Sequence, residues 1–203
     1  LYERALADPQ VAAVSVKVSA LHPRVEALAI DRVVPELAAL LARLYRAAGA
    51  KLVTLDMEGY ADLEPTVEAF LRVTADPALS HATHGIALQA YLPDAFAVQR
   101  RVTEHALARV AAGGASLRLR LVKGANLAAE RYEASVRGWE PAPFDDKAAT
   151  DANMKRMLGY ALAPEHAHAL RVGVGSHNVF DLALAIELAR EHGTSDALTI
   201  EML

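Results

Sequence analysis

Short stretches rich in β-branched and aliphatic residues recur along this chain, and a longer stretch with apolar residues three or four positions apart follows almost every one. This alternation is typical of successive βα units, in which a helix covers each strand of a parallel sheet. We predict strands at 14–20, 52–57, 86–91, 117–123, 170–175 and 197–202. We predict helices at 31–48, 64–74, 95–112, 127–136, 150–162 and 179–192.

The spacing between these strands favours one α/β architecture over another. A (β/α)8 TIM-type barrel needs about 250 residues, so about six of its eight βα units fit the 203 residues of this chain. A doubly wound sheet is the alternative, but it usually carries a glycine-rich phosphate turn, and the sequence contains no G-x-G-x-x-G. Because the chain ends inside a predicted strand, we expect a piece of a longer protein with an incomplete barrel.

Composition excludes several classes of function. The chain is 53% hydrophobic, which suffices for a buried core, and it has no cysteine for a disulfide or a thiol nucleophile. Its net charge of −4 provides no basic field, so we expect no nucleic-acid contact from this segment. No apolar run approaches the ~18 residues of a transmembrane helix. We therefore expect a cytoplasmic protein.

Polar residues stand at the C-terminal end of every predicted strand, which is where barrel enzymes assemble their active sites. In chain order they are Lys17, Asp56, Glu58, Gln89, Arg120, Lys123, His177, Asn178 and Glu201. The cations Lys17, Arg120 and Lys123 favour an anionic ligand such as a phosphate, a carboxylate or an electron-rich ring. Their repulsion disfavours a divalent cation, so we predict no metal site.

The same residues allow less specific interpretations. Lys17 and Arg118 could pair with Asp56 or Glu58 in an interior ion network of a non-catalytic barrel, and Lys17 could instead be the Schiff-base lysine of an aldolase. The long connection at 138–147 could be a lid over a ligand or a packed loop. The sequence contains no G-x-S-x-G or H-E-x-x-H motif, so it does not support acyl transfer through a serine nucleophile elbow or zincin-type hydrolysis.

Six motifs resemble a known family. They are VKVSALHPR at 16–24, LDME at 55–58, LQAY at 88–91, RLVKGA at 120–125, SHN at 176–178 and IEML at 200–203. In order and spacing they resemble the proline dehydrogenase domain, from about Ser15 to the last residue. The chain is more similar to the bifunctional bacterial proline utilization A proteins than to the short monofunctional enzymes.

The resemblance implies an FAD-dependent distorted (β/α)8 barrel. Such an enzyme oxidises L-proline to Δ1-pyrroline-5-carboxylate by hydride transfer to flavin N5 and passes the electrons to a membrane quinone. The resemblance further implies a fused aldehyde dehydrogenase domain and allows peripheral contact of the parent protein with the inner face of the membrane. The family's first barrel strand, and its last strand with the final helix, would lie outside residues 1–203.

Site residues carry over from the family by position. The resemblance implies that Lys17 contacts the substrate carboxylate, that Asp56 stands beside the reacting ring, and that Arg120 lies against the flavin near N5, where a cation stabilises the charge that reduction adds. It implies FAD contacts for Met57, Gln89, Val122, Lys123, Gly124, Ala125, Thr150, Ser176 and His177, with Lys147 in a segment on the cofactor side. Gly124 also lacks the Cβ atom that would keep the backbone from a ligand. We expect Arg118 to form a structural ion pair.

Two positions depart from the family pattern. Asn126 and Leu127 stand where many members have an aromatic pair, which argues against ring stacking there, and Met202 stands where others often have glutamine. The alternative hypotheses are another barrel flavoprotein such as a methylenetetrahydrofolate reductase, the Schiff-base aldolase, and the non-catalytic barrel.

Overall fold

The computed structural model of the chain describes residues 1–23, 25 and 27–202. These residues form one parallel sheet whose strands are β1 Ala13–Lys17, β2 Leu52–Asp56, β3 His84–Gln89, β4 Leu117–Val122, β5 Leu170–Gly175 and β6 Leu198–Glu201. Each strand pairs with its neighbour in the chain, in the order β1-β2-β3-β4-β5-β6. Two residues of the family motifs, Arg24 and Leu203, lie outside the described residues.

Helices alternate with the strands throughout the described residues. They are α1 Tyr2–Ala7, α2 Ile30–Ala48, α3 Leu63–Thr74, α4 Ala95–Ala111, α5 Leu127–Arg137, α6 Lys147–Ala161, α7 Pro164–Ala167 and α8 Val179–Glu191. The sequential strand order confirms an incomplete (β/α)8 barrel and excludes a doubly wound sheet, in which the strand order reverses.

The strand predictions err at their ends. The first strand is predicted to reach Ala20 but ends at Lys17, because residues Val18–Ala20 form a 3-10 turn. The third is predicted at 86–91 but lies at His84–Gln89, and the chain after it turns towards α4. Apolar composition continues past the end of the strand in both places, so it overstates strand length.

The helix predictions miss two short elements and one start. Helices α1 and α7, of six and four residues, have too few turns to show a period. Helix α6 begins at Lys147 rather than at Thr150, because the Asp146 carboxylate accepts a hydrogen bond from the Ala149 amide (2.7 Å) and caps the additional turn.

Strand β4 shows how the sequence separates the two faces of the sheet. Leu117, Leu119 and Leu121 are fully buried against the helices, whereas Arg118 and Arg120 alternate with them and project from the opposite face. The arginines therefore lie on the inner face of the barrel.

The contacts of Arg120 demonstrate that the sheet curls. Its guanidinium donates to Ser15 Oγ on β1 (2.9 Å) and to Glu201 Oε2 on β6 (2.5 Å), although these strands are the two edges of the described sheet. In a flat sheet β1 would lie about 14 Å from β4, since neighbouring strands are about 4.8 Å apart. Curvature brings both edges to the inner face of β4 and forms an open half-barrel.

Candidate active site

Arg120 is the centre of the inner-face cluster. Besides Ser15 and Glu201, its Nη1 donates to Asp56 Oδ1 at 2.7 Å, so the guanidinium is held between two carboxylates and a hydroxyl. About a quarter of each arginine and glutamate side chain is exposed, and charge-assisted bonds are strong in such partly desolvated surroundings. Burial raises the pKa of Asp56, and Arg120 opposes that shift. The geometry fixes a planar cation on the inner wall.

Arg118 forms the structural ion pair expected of it, but with a different partner. Its Nη2 donates to Glu201 Oε1 at 3.2 Å, not to Asp56 or Glu58. Glu201 therefore bridges the two arginines of β4 with its two oxygens. The buried Arg118 Nε has no hydrogen-bond partner among the residues that the structure describes.

Gly173 on β5 makes room for this bridge. It pairs with Arg120 in the strand register, and a Cβ atom at Gly173 would lie 2.0 Å from Glu201 Oε1. The first glycine of the V-G-V-G sequence in β5 is therefore needed for a steric reason, because a side chain there would collide with Glu201. Alternating glycine on the inner face is the signal that sequence analysis left unused.

Lys17 lies at the end of β1 and is held loosely. Its Nζ is 3.9 Å from Glu58 Oε1, and 65% of its side chain is exposed. The Glu58 carboxylate is fixed more firmly, because its Oε2 accepts the Ser19 amide at 2.9 Å. An exposed ammonium with a single long ion pair is free to bind an incoming carboxylate.

Gln89 and the segment after β4 meet above the end of β3. Gln89 is 1% exposed, and its Oε1 accepts the Ala125 amide at 3.1 Å. Its Nε2 and the nearby Tyr91 hydroxyl are buried without a well-formed hydrogen bond. Burial and the charge of Glu130 raise the pKa of Tyr91 to about 12. Even with the Tyr91 hydroxyl as one acceptor, the amide nitrogen keeps a second hydrogen, which fits a polar ligand atom at this position.

Lys123 has carboxylate partners that sequence analysis did not anticipate. Its Nζ lies 2.6 Å from Asp151 Oδ1 on α6 and 2.8 Å from Asp181 Oδ2 on α8, and Asp151 also pairs with Lys147. Burial lowers the pKa of Lys123, but these hydrogen bonds outweigh it and raise the pKa overall. The Asp181 side chain is 5% exposed and also accepts from Ser176 Oγ at 3.3 Å.

The other predicted cofactor residues surround this centre with fewer contacts. Met57 is buried just after β2, and Val122 ends β4 with its carbonyl accepting the Ala90 amide at 2.8 Å. The Thr150 hydroxyl bonds back to the Asp146 carbonyl at 3.4 Å, and His177 is exposed before α8. Thr150 precedes Asp151, the partner of Lys123, and the role of each of these residues in cofactor binding stays a prediction.

The connection at 138–147 is partly packed. The Phe144 amide donates to the Tyr91 carbonyl at 2.8 Å, which ties the connection to the end of β3. Trp139 is 63% exposed, with the Arg137 guanidinium 4.8 Å from its ring centre. The segment near Phe144 is thus a wall of the site.

A cluster of acids lies at the rim after β2. Burial, followed by the charges of Glu58, Glu130 and Glu133, raises the pKa of Asp62 to about 6. The folded state therefore holds this proton more tightly than the unfolded chain, whose aspartate pKa is about 3.9. The stabilisation that this proton provides is complete below about pH 4 and is lost as the pH rises through about 6.

Asp62→Asn should consequently stabilise the protein at neutral pH. We expect the free energy of unfolding at about pH 7.5 to rise by about 1–2 kcal/mol, after allowance for solvent screening, and the gain to vanish near pH 4. Urea unfolding at the two pH values measures it. An equal change at both would contradict the assigned pKa.

Metal and membrane features are absent from the part of the chain described. Residues 1–23, 25 and 27–202 contain no group of three or more histidines and acids arranged to hold a metal ion. Within the same ranges, every helix is too short or too polar to cross a bilayer.

Comparison with known proteins gives a consistent result. The family model described as Proline dehydrogenase matches residues 3–203. A comparison with curated proteins gave no match.

Several solved structures are similar over nearly the whole chain. Proline utilization A (PutA) from Corynebacterium freiburgense is 40% identical with a TM-score of 0.95, and the match covers 100% of this chain and 21% of that protein. PutA from Bdellovibrio bacteriovorus inactivated by N-propargylglycine is 34% identical, with a TM-score of 0.85 and coverage of 94% and 20%. A PutA mutant from Bradyrhizobium japonicum is 31% identical, with a TM-score of 0.85 and coverage of 100% and 21%. This chain thus spans about a fifth of the length of these proteins.

Proposed function

Since the chain belongs to the proline dehydrogenase family, we propose that it forms most of the FAD site and part of the substrate site of an enzyme that oxidises L-proline to Δ1-pyrroline-5-carboxylate. The observation that carries this proposal is the fixed position of Arg120 on the inner wall, held by Asp56, Glu201 and Ser15. The rest of the barrel, including its first strand and its last strand with the final helix, would come from the remainder of the parent protein.

The residues present fit a flavin. Even with the Tyr91 hydroxyl as one acceptor, the buried Gln89 Nε2 keeps a second hydrogen, and a flavin ring offers carbonyl oxygens and ring nitrogens as acceptors. Gln89 stands on the same inner wall as Arg120, since Ala87 pairs with Arg120 and Gln89 follows two residues later. This donor therefore supports a ring-shaped acceptor at this wall. When bound, FAD would supply the acceptor for the hydride that leaves proline.

Arg120 and Lys17 have separate tasks in this proposal. Arg120 would stabilise negative charge on a bound flavin, and its three partners hold the guanidinium in place beforehand, so little reorganisation would be needed. Lys17 binds the proline carboxylate, for which its weak contact with Glu58 leaves it available. Asp56 orients Arg120 and stands between it and Lys17 in the strand register.

The remaining FAD contacts follow the strand ends. Met57 and Gln89 would contact the ring, and Lys123, Gly124 and Ala125 would serve the ribityl and phosphate portion. Val122, Thr150, Ser176 and His177 complete the proposed set. Because Asp151 and Asp181 already neutralise Lys123, a phosphate would have to share this lysine with them.

The electrons would leave to a quinone, with the parent protein in the cytoplasm and peripheral to the membrane. Its further partner would be a fused aldehyde dehydrogenase domain, which the length of the similar PutA proteins leaves room for.

The presence of a bound flavin would distinguish this proposal from an aldolase that uses Lys17. Schiff-base lysines are usually desolvated, whereas the Lys17 side chain is 65% exposed. We expect the purified complete protein to show the visible absorbance of oxidised flavin. Treatment with borohydride and a carbonyl substrate should leave Lys17 unmodified by mass spectrometry. A colourless protein with a trapped adduct on Lys17 would contradict the proposal.

A further inference from the structure

Two loops of the rim are joined directly across the end of β3. The Asn126 side chain, after β4, donates its Nδ2 hydrogen to the Glu58 carbonyl, after β2. Four residues further along α5, Glu130 Oε1 accepts the Tyr60 amide at 2.7 Å. Because β3 separates β2 from β4 in the sheet, these two hydrogen bonds form a cross-loop bridge of Asn126, Glu130, Glu58 and Tyr60.

The segment after β4, which leads to Asn126, is held in place by its own contacts. Gly124 lies against the Tyr91 ring, the Ala125 amide bonds to Gln89, and the Tyr91 amide donates to the Lys123 carbonyl at 2.7 Å. The segment leading to Asn126 is therefore attached to the end of β3 before α5 begins. It is a rigid support from which Asn126 and Glu130 can hold another loop.

The other side of the bridge is the loop at 57–60, which follows the site residue Asp56 directly. Towards β1, the Glu58 carboxylate is held by the Ser19 amide and loosely by Lys17. The Tyr60 hydroxyl donates to Asp94 Oδ2 at 2.8 Å, so these contacts hold side chains of the loop. On its β4 side the backbone itself is held, through the Glu58 carbonyl and the Tyr60 amide. Without the bridge, the backbone of this loop would keep none of the cross-loop hydrogen bonds found among the described residues.

We propose that Asn126 and Glu130 are positioning residues, which fix the loop at 57–60 and with it the buried Met57 beside the active site. The part of this proposal that concerns catalysis rests on the proposed function. Asn126 thereby provides a hydrogen bond at a position where the sequence pattern argues against ring stacking. Glu130 contributes a charged acceptor, and bonds to charged acceptors are the stronger ones.

Hydrogen exchange at the Tyr60 amide tests the bridge in the complete protein without any use of activity. The variants are Asn126→Ala, Glu130→Ala and Glu130→Gln, which retains an acceptor oxygen. The matched control is Glu133→Ala, on the same helix, whose carboxylate pairs with Arg137 instead. We expect exchange at least about ten-fold faster in Glu130→Ala, partly restored in Glu130→Gln, and unchanged in the control.

Steady-state kinetics separates positioning from a purely structural role. We expect Asn126→Ala and Glu130→Ala to lower kcat/KM for L-proline several-fold, and Glu130→Gln to recover most of it. Faster exchange with wild-type kcat and KM would overturn the positioning role, and unchanged Tyr60 exchange in both alanine variants would overturn the bridge. If wild-type protein shows no flavin reduction by proline, the proposed function fails, and the exchange data still decide whether the bridge exists.

Discussion

Arg120→Met in the complete protein should slow the reduction of its flavin by L-proline by about 10²–10³-fold, the loss typical of removing one preorganised donor from developing negative charge. Methionine keeps an unbranched stem like that of arginine but has no charge and no hydrogen for the Asp56 and Glu201 carboxylates. Those carboxylates would then face the flavin without their cation. Anaerobic stopped-flow absorbance measures the reduction rate directly.

Arg118→Met is the matched control for this change. It removes the same group from the same face of β4 two register rows away, where it contacts Glu201 but not Asp56. We expect a loss of less than about ten-fold, since Arg120 keeps its place at the flavin. Equal rates for the two variants would sink the role assigned to Arg120.

Gly124→Ala should be among the most destabilising single changes in the chain. Gly124 has φ +143°, and a Cβ atom there would lie 2.5 Å from two carbons of the Tyr91 ring. Backbone strain of about 1–3 kcal/mol adds to overpacking of about 1–3 kcal/mol, because the buried ring has little room to move. We expect the free energy of unfolding to fall by about 2–5 kcal/mol and the flavin content to fall with it.

Gly113→Ala separates these two causes. Gly113, after α4, also has a positive φ (+84°), but nothing lies within 4 Å of its Cβ position. It should cost only the backbone strain, about 1 kcal/mol. Urea unfolding of both variants gives the comparison, and equal losses would show that the Tyr91 ring yields readily.

The spacing of apolar residues predicts the strands and helices because these elements bury side chains at regular intervals, every second residue in a strand and every three or four in a helix. Alternation in β4 places leucines on one face and arginines on the other, and the helices that follow the strands show the helical period. The start of α6 and the end of β1 depend instead on one capping carboxylate and one 3-10 turn. Such local contacts leave no periodic signal.

The sequence predicts which residues lie at the candidate site better than it predicts which of them bond to one another. The chain order places Arg120 and Glu201 at strand ends, but only the curvature of the sheet brings β6 within reach of β4. For the same reason Glu201 is not among the partners considered for Arg118 from the sequence, which are Asp56 and Glu58, although the structure pairs Arg118 with Glu201. The bonds of Asp181 to Lys123 and of Asn126 to Glu58 likewise join elements 58 and 68 residues apart.

We have proposed that this chain lines the flavin site of an enzyme that oxidises proline. Visible absorbance of the complete protein, before and after anaerobic addition of L-proline, tests it most directly. We predict that the absorbance of oxidised flavin is present at the start and bleaches on addition of proline. Flavin absorbance that proline leaves unchanged, or no flavin at all, would contradict the claim.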